Sequence, residues 1–138
     1  MKRYVFDYVP ESTRRGIVHR PVVLVHLRSM DGSWLAFRVY ADSGADISLF
    51  TKGDSKLLGL NLYEGEYRPI VGVGKILIPA YVHRVGMMIG EAVFEADVAF
   101  AESDEVPRVL GRADVFKRFR VTFDEANLRT IFEASVEG

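Results

Sequence analysis

A chain of 138 residues that is 49% hydrophobic and 12% aromatic can bury one substantial core, but it lacks the length for a two-lobed architecture. A formal net charge of −1 argues against nucleic acid or an anionic membrane surface as the principal partner. The absence of cysteine excludes a disulfide framework and a thiolate metal site, and it is compatible with a cytoplasmic protein.

The charge is uneven. Residues 1–20 carry Lys2, Arg3, Arg14, Arg15 and Arg20 against Asp7 and Glu11, whereas residues 91–105 hold six acids and no base. Two solvated faces or an attraction between subunits both account for this. The first residues lack the apolar stretch of a signal peptide, and no apolar run approaches the roughly 20 residues that span a bilayer. A soluble protein is expected, divided into an N-terminal arm of unknown role (1–20), one domain (21–133) and a tail (134–138).

In chain order, strand signals dominate. Pro21 to Leu27 is apolar and β-branched, and Asp31-Gly32 supplies a turn into the alternating run Trp34 to Ala41. Ile47 to Phe50 reads as a short strand, and Asp54 to Gly59 as one helical turn that Gly59 ends. Residues 66–74 and 75–84 read as two extended stretches meeting at Gly72-Val73-Gly74. Val85 to Ile89 and Ala92 to Ala99 form a hairpin joined at Gly90-Glu91. Ala113 to Phe119 carries Val115, Phe116 and Phe119 at helical spacing and is the candidate longer helix. Val121 to Phe123 then pairs with Thr130 to Phe132. Short strands at regular spacing with one short helix predict a closed all-β domain.

Two motifs carry chemistry. Asp42-Ser43-Gly44-Ala45-Asp46 follows the run 34–41, and Val109-Leu110-Gly111-Arg112 lies downstream, leading into Val121-Thr122-Phe123-Asp124. Asp-Ser-Gly alone is an ordinary turn composition. Both motifs in this order resemble the active-site turn and the hydrophobic-hydrophobic-Gly element of the retroviral-type (retropepsin-like) aspartic proteases. Ile70 to Ile76 resembles their flap tip, most nearly the Gly-Val-Gly form in the protease-like domain of DNA-damage-inducible ubiquitin-shuttle proteins.

The resemblance covers most of residues 21–133 and implies a retropepsin-like fold with a short C-terminal helix and a flap hairpin. It implies an aspartic endopeptidase with Asp42 as the catalytic residue. That chemistry needs two carboxylates sharing one proton, because neighbouring carboxylates do not both ionise easily. A single Asp-Ser-Gly therefore implies a homodimer with its active site on the two-fold axis. Ser43, Gly44, Ala45, Asp46 and Arg112 would support the loop, with Arg112 and Asp46 as a buried, bidentate pair. Val71, Gly72, Val73 and Gly74 would form the flap, and Val109, Leu110 and Gly111 the substrate cleft. Small or apolar Ala45, Val73 and Val109 imply extended peptide substrates with apolar side chains. The alternative is a non-catalytic dimerisation or peptide-binding module of the same fold. Ala113 after Gly-Arg, and Ala41 before Asp42, depart from the family's pattern.

Other motifs fail. Gly72-Val73-Gly74-Lys75 lacks the earlier Gly and the following Ser or Thr of a phosphate loop, with Pro69 and Ile76 in those places. Ser43 is not in a nucleophile elbow, since Ala41 stands where its first Gly belongs. His19, His26 and His83 show no metal spacing, and neither a metal nor another cofactor is implied.

Overall fold

The computed structural model describes residues 2–134, and for Val73 the backbone alone. Fourteen strands and one short α-helix follow in order: β1 (Arg3–Asp7), β2 (Val9–Thr13), β3 (Gly16–Arg20), β4 (Val22–Arg28), β5 (Trp34–Ala41), β6 (Ser48–Phe50), α1 (Lys52–Leu57), β7 (Glu66–Tyr67), β8 (Ile70–Val71), β9 (Leu77–Ile78), β10 (Ala80–Ile89), β11 (Ala92–Ala101), β12 (Val109–Leu110), β13 (Phe119–Asp124) and β14 (Arg129–Ala134).

Six strands close on themselves in the order β4-β5-β12-β6-β11-β10, with β10 returning to β4. The β12–β5 and β11–β6 pairings are parallel; the other contacts of the ring are antiparallel. Alternation along each strand fills the interior. Val23, Val25 and Leu27 of β4 point inward, as do Phe37 and Val39 of β5, Val85, Met87 and Ile89 of β10, and Val98 and Phe100 of β11. Phe50, Phe100 and Leu110 are fully buried. Each such side chain contributes about 1.5–3 kcal/mol by leaving water.

The opposite faces of β6 and β11 are covered as well. Leu49, Ala99 and Ala101 join Ile47 and Ala80 in a second buried cluster, on which Ile70, Ile78, Val106 and Val109 pack. This cluster ties the β8–β9 hairpin to the segment that carries Val109.

The expectation of a closed all-β domain holds, with differences in detail. The predicted strand 34–41 is β5, and the helical turn near Asp54 is α1, capped by Thr51, whose hydroxyl accepts from the Asp54 amide while the Asp54 carboxylate accepts from the Thr51 amide. The helix expected over 113–119 is instead a series of turns over 113–118. Asp114 there has φ +63°, a left-handed conformation that an α-helix cannot contain. Its carboxylate accepts from the Asp97 amide (2.9 Å) and from Arg84 (2.8 Å), which pins the turn to β10 and β11. The extended stretches around 66–84 are broken at Pro69 and Pro79 into β7, β8, β9 and β10.

The first twenty residues, set apart as an arm in the sequence, form three strands. β1 is built into a sheet with β14 and β13, and Tyr4 and Phe6 stack on Phe119 and Phe132. β2 and β3 form a separate hairpin. Residues 135–138 of the tail, and the cleft-lining expectation for the Val73 side chain, lie outside the described residues.

Candidate active site

Asp42 sits where β5 ends, and its position is set by backbone rather than by side-chain packing. Its amide donates to the Leu110 carbonyl (3.0 Å), and the preceding Ala41 amide donates to the Pro21 carbonyl (2.9 Å). One carboxylate oxygen, Oδ1, accepts from the Gly44 amide at 2.8 Å. The Ala45 amide closes the turn on the Asp42 carbonyl (3.2 Å). Asp42, Ser43 and Gly44 are exposed, and Ala45 is half-buried. The carboxylate is thus oriented by one backbone donor and open to solvent.

The second motif holds this turn from behind. The Arg112 amide donates to the Ala45 carbonyl and the Ala113 amide to the Asp46 carbonyl, both at 2.9 Å. The Gly111 amide donates to the Ser48 hydroxyl (3.0 Å), which is fully buried. A Cβ on Gly111 would stand 2.4 Å from both the carbonyl carbon and oxygen of Ile47. The two chain segments cross at backbone contact, which a residue with a side chain does not allow. Gly111 is thus the position at which the second motif passes closest beneath the loop.

Two expectations need correction. Arg112 does meet Asp46, but through a single Nη2–Oδ1 contact of 3.3 Å, with the side chains 58% and 90% exposed. It is neither bidentate nor buried in the single chain. Leu110 and Gly111 were expected along the cleft, yet both are buried. Leu110 enters the barrel core, because alternation along β12 turns it away from the face that Val109 presents.

The face beside Asp42 is a cavity of about 430 Å³. Val109, Pro107 and Pro21 supply apolar wall, and Glu11, Arg20 and Tyr40 supply polar wall. The sequence reading missed Tyr40 and Pro107. Tyr40 lies two residues before Asp42 on β5, and strand periodicity places it on the same side of the sheet; that signal was available. Glu11 and Arg20 come from the β2–β3 hairpin, and nothing local in the sequence points to them.

The β8–β9 hairpin pairs Ile70 with Ile78 and Val71 with Leu77. Its tip turns at Val73–Lys75, with Gly74 at φ +79° and the Gly72 amide donating to the Ile76 carbonyl (2.8 Å). Val71, Ile76 and Leu77 are each more than 60% exposed, an uncovered apolar edge on the hairpin that the sequence reading took as the flap.

A second arginine–aspartate pair stands behind the loop. Arg108 grips Asp54 with two contacts, Nε–Oδ2 at 2.8 Å and Nη2–Oδ1 at 2.9 Å. The Asp54 side chain is 2% exposed. Burial acts to raise the Asp54 pKa, but the Arg108 hydrogen bonds and the Thr51 amide outweigh it and hold the carboxyl below its ordinary value. The Arg108 guanidinium also lies over the Phe37 ring, 5.4 Å from its centroid. Among the described residues, no group of three or more His, Cys, Asp or Glu side chains is placed to hold a metal ion.

Comparison with known proteins places this geometry. No family model matches the chain. It is 29% identical over 135 residues to the DNA damage-inducible protein 1 of Yarrowia lipolytica, an alignment that takes in 90% of this chain and 32% of that protein. The chain thus spans about a third of the length of that curated relative. A retropepsin-like aspartic protease from Rickettsia conorii superposes with a TM-score of 0.65 at 18% identity, covering 95% of this chain and 98% of that one. The EIAV protease, solved with the inhibitor HBY-793, gives a TM-score of 0.53 at 24% identity over 71% of this chain and 86% of that one. The chain has the fold of the retropepsin-like aspartic proteases, and its likeness to the curated relative and to these solved structures supports that family.

Proposed function

We propose that the chain is an aspartic endopeptidase whose active centre forms when two copies bring their Asp42 carboxylates together. The observation that carries this reading is the Asp42 turn itself. An exposed carboxylate, fixed by the Gly44 amide, sits on a loop laced to Leu110, Arg112 and Ala113 and opens onto a cavity of about 430 Å³. Such a loop is rigid at its base and free at its tip, as a group that must meet a partner and a substrate requires.

The chemistry follows from the pairing. At short separation one Asp42 stays protonated while the other is ionised. The ionised carboxylate takes a proton from a bound water, whose oxygen attacks the peptide carbonyl carbon. The protonated carboxyl gives its proton to the carbonyl oxygen. As the tetrahedral diol collapses, the C–N bond breaks, the leaving nitrogen takes the proton from one carboxyl, and a diol hydroxyl returns its proton to the other carboxylate, which restores the singly protonated pair. Ser43, adjacent to Asp42 and exposed, would hydrogen-bond across the two-fold axis. The β8–β9 hairpin, with Val71, Gly72, Val73 and Gly74 in its tip region, would close as a flap, and its exposed apolar residues would be covered by substrate and partner. No cofactor is called for. The reading takes the protein to be a cytoplasmic homodimer acting on peptides or proteins.

Asp42→Asn preserves side-chain size and removes the ionisable group. Turnover of an unstructured apolar peptide is expected to vanish in the variant while sedimentation shows the same dimer as the parent. The parent's kcat/KM should be bell-shaped in pH, with both limbs belonging to the pair. Undiminished cleavage by a folded Asp42→Asn dimer removes Asp42 from the mechanism. A parent that dimerises but cleaves nothing from acid to neutral pH is the non-catalytic module instead.

A further inference from the structure

The cavity beside Asp42 has two unlike sides. Pro21, Pro107 and Val109 make one side apolar. The other is a hydrogen-bonded cluster brought by the β2–β3 hairpin. The Tyr40 hydroxyl donates to Glu11 Oε2 (3.1 Å), and Arg20 Nε lies 3.4 Å from the same oxygen. Both Glu11 and Arg20 are 43% exposed. Among the described residues, the other carboxylate oxygen of Glu11 has no recorded hydrogen-bond partner. The hydrogen bond to Glu11, and then burial, raise the Tyr40 pKa above its ordinary value, in keeping with a hydroxyl that donates to this carboxylate. The wall therefore presents an open acceptor on Glu11 beside guanidinium donors on Arg20.

Side chains fit this wall unequally. An aliphatic or phenyl group satisfies the proline and valine side but covers the polar side without replacing its water. A carboxylate faces Glu11 and Asp42 as like charges; an ammonium is drawn to those two acids but offers no acceptor to Arg20, which it meets as a like charge. A phenol matches both sides: its ring lies on the apolar wall, its O–H donates to Glu11, and its oxygen accepts from Arg20. Resting on the protease reading above, we propose that the β2–β3 hairpin is a specificity element. Through Glu11, Arg20 and Tyr40 it selects a tyrosine-type side chain beside the scissile bond. The selection is graded, since water competes at half-exposed groups; a net hydrogen bond of ordinary strength corresponds to about three- to tenfold.

The test uses two peptides that differ by one oxygen, Tyr or Phe at the residue preceding the scissile bond, competing in one pot with the full-length protein. The expected kcat/KM ratio favours Tyr by about three- to tenfold, and it falls toward one in Glu11→Leu. Tyr40→Phe frees the Glu11 carboxylate from its anchor and should lower the ratio too; this variant decides the matter if Glu11→Leu does not fold. A parent ratio near one, or a ratio unchanged in the folded variants, overturns the proposal. Should the parent cleave neither peptide, the protease reading falls, and the same pair with a reduced, uncleavable peptide bond still decides this one. Tighter binding of the Tyr form by about threefold or more, lost in the variants, sustains the hairpin's role, and equal binding ends it.

Discussion

Arg108 and Arg112 stand on either side of Val109–Gly111, and each meets an aspartate. Arg108 meets Asp54 with two contacts on a carboxylate that is 2% exposed. Arg112 meets Asp46 with one, and Asp46 is 90% exposed. The same chemical pair therefore does two different jobs. At Asp54 the charge has already left water, so its partner is indispensable. At Asp46 both groups keep their water, and the contact adds little by itself. The buried pair fixes where the segment 108–112 lies; the exposed pair leaves charged groups available at the rim of the Asp42 loop.

The sharpest way to break this contrast is to remove each arginine. Arg108→Ala strands the Asp54 charge and should cost about 3 kcal/mol, lowering the melting temperature by roughly 10 °C for a chain of this size. A loss below about 1 kcal/mol would mean that the two pairs are alike after all. Acid sharpens the comparison further. Asp54 has its pKa lowered in the folded chain, so its stabilisation is complete above the ordinary carboxylate value near 3.9 and is lost as pH falls through the lower folded value. In Arg108→Ala only burial and the Thr51 contacts remain to act on Asp54. The stability gap between parent and variant should then narrow as pH drops below about 4, measurable by denaturant unfolding at stepped pH.

Gly111 lies between the two pairs and tests the crossing they flank. Gly111→Ala places a methyl against the Ile47 backbone, which cannot rotate away. Overpacking of this kind costs about 1–3 kcal/mol. Because Asp42 hangs from Leu110, the variant should also lose turnover out of proportion to its lost stability. Equal loss of both would show that the loop tolerates the shift. The smallest effect belongs to Arg112→Ala, expected within about 0–1 kcal/mol for the unfolding of a single subunit. A larger effect that appears only as dimer concentration rises would show that association buries the pair.

The contrast also separates what is legible in a sequence from what is not. β5 and the turn after it could be read directly, because alternation over 34–41 and the Asp-Ser-Gly composition are local signals. The motif Val109 to Arg112 could be found as well, but not that Leu110 and Gly111 within it are buried. The Arg108–Asp54 pair could not: its members are far apart in sequence, and each alone looks like a surface charge. The helix expected at 113–119 failed for a related reason. Its apolar spacing is real, with Val115 and Phe119 buried, but Asp114 is drawn into a left-handed turn by partners on β10 and β11. Tertiary hydrogen bonds overrode local periodicity. Likewise Glu11 and Arg20 gain their significance only when the β2–β3 hairpin arrives beside Tyr40.

The pairing of β1 with β14 sets Arg3 opposite Glu133 and Asp7 opposite Arg129. During synthesis the first strand leaves the ribosome long before the strand it must join. Phe6 has no Phe132 to stack on until then. Loop closure of that span is slow by nature. All six barrel strands lie between β4 and β12, so the ring is complete in sequence before β14 is made, whereas the β1–β14 seam has to wait for that strand. A ribosome-stalled chain ending before residue 129 should therefore remain sensitive to proteolysis in its first eight residues, however well its middle has folded.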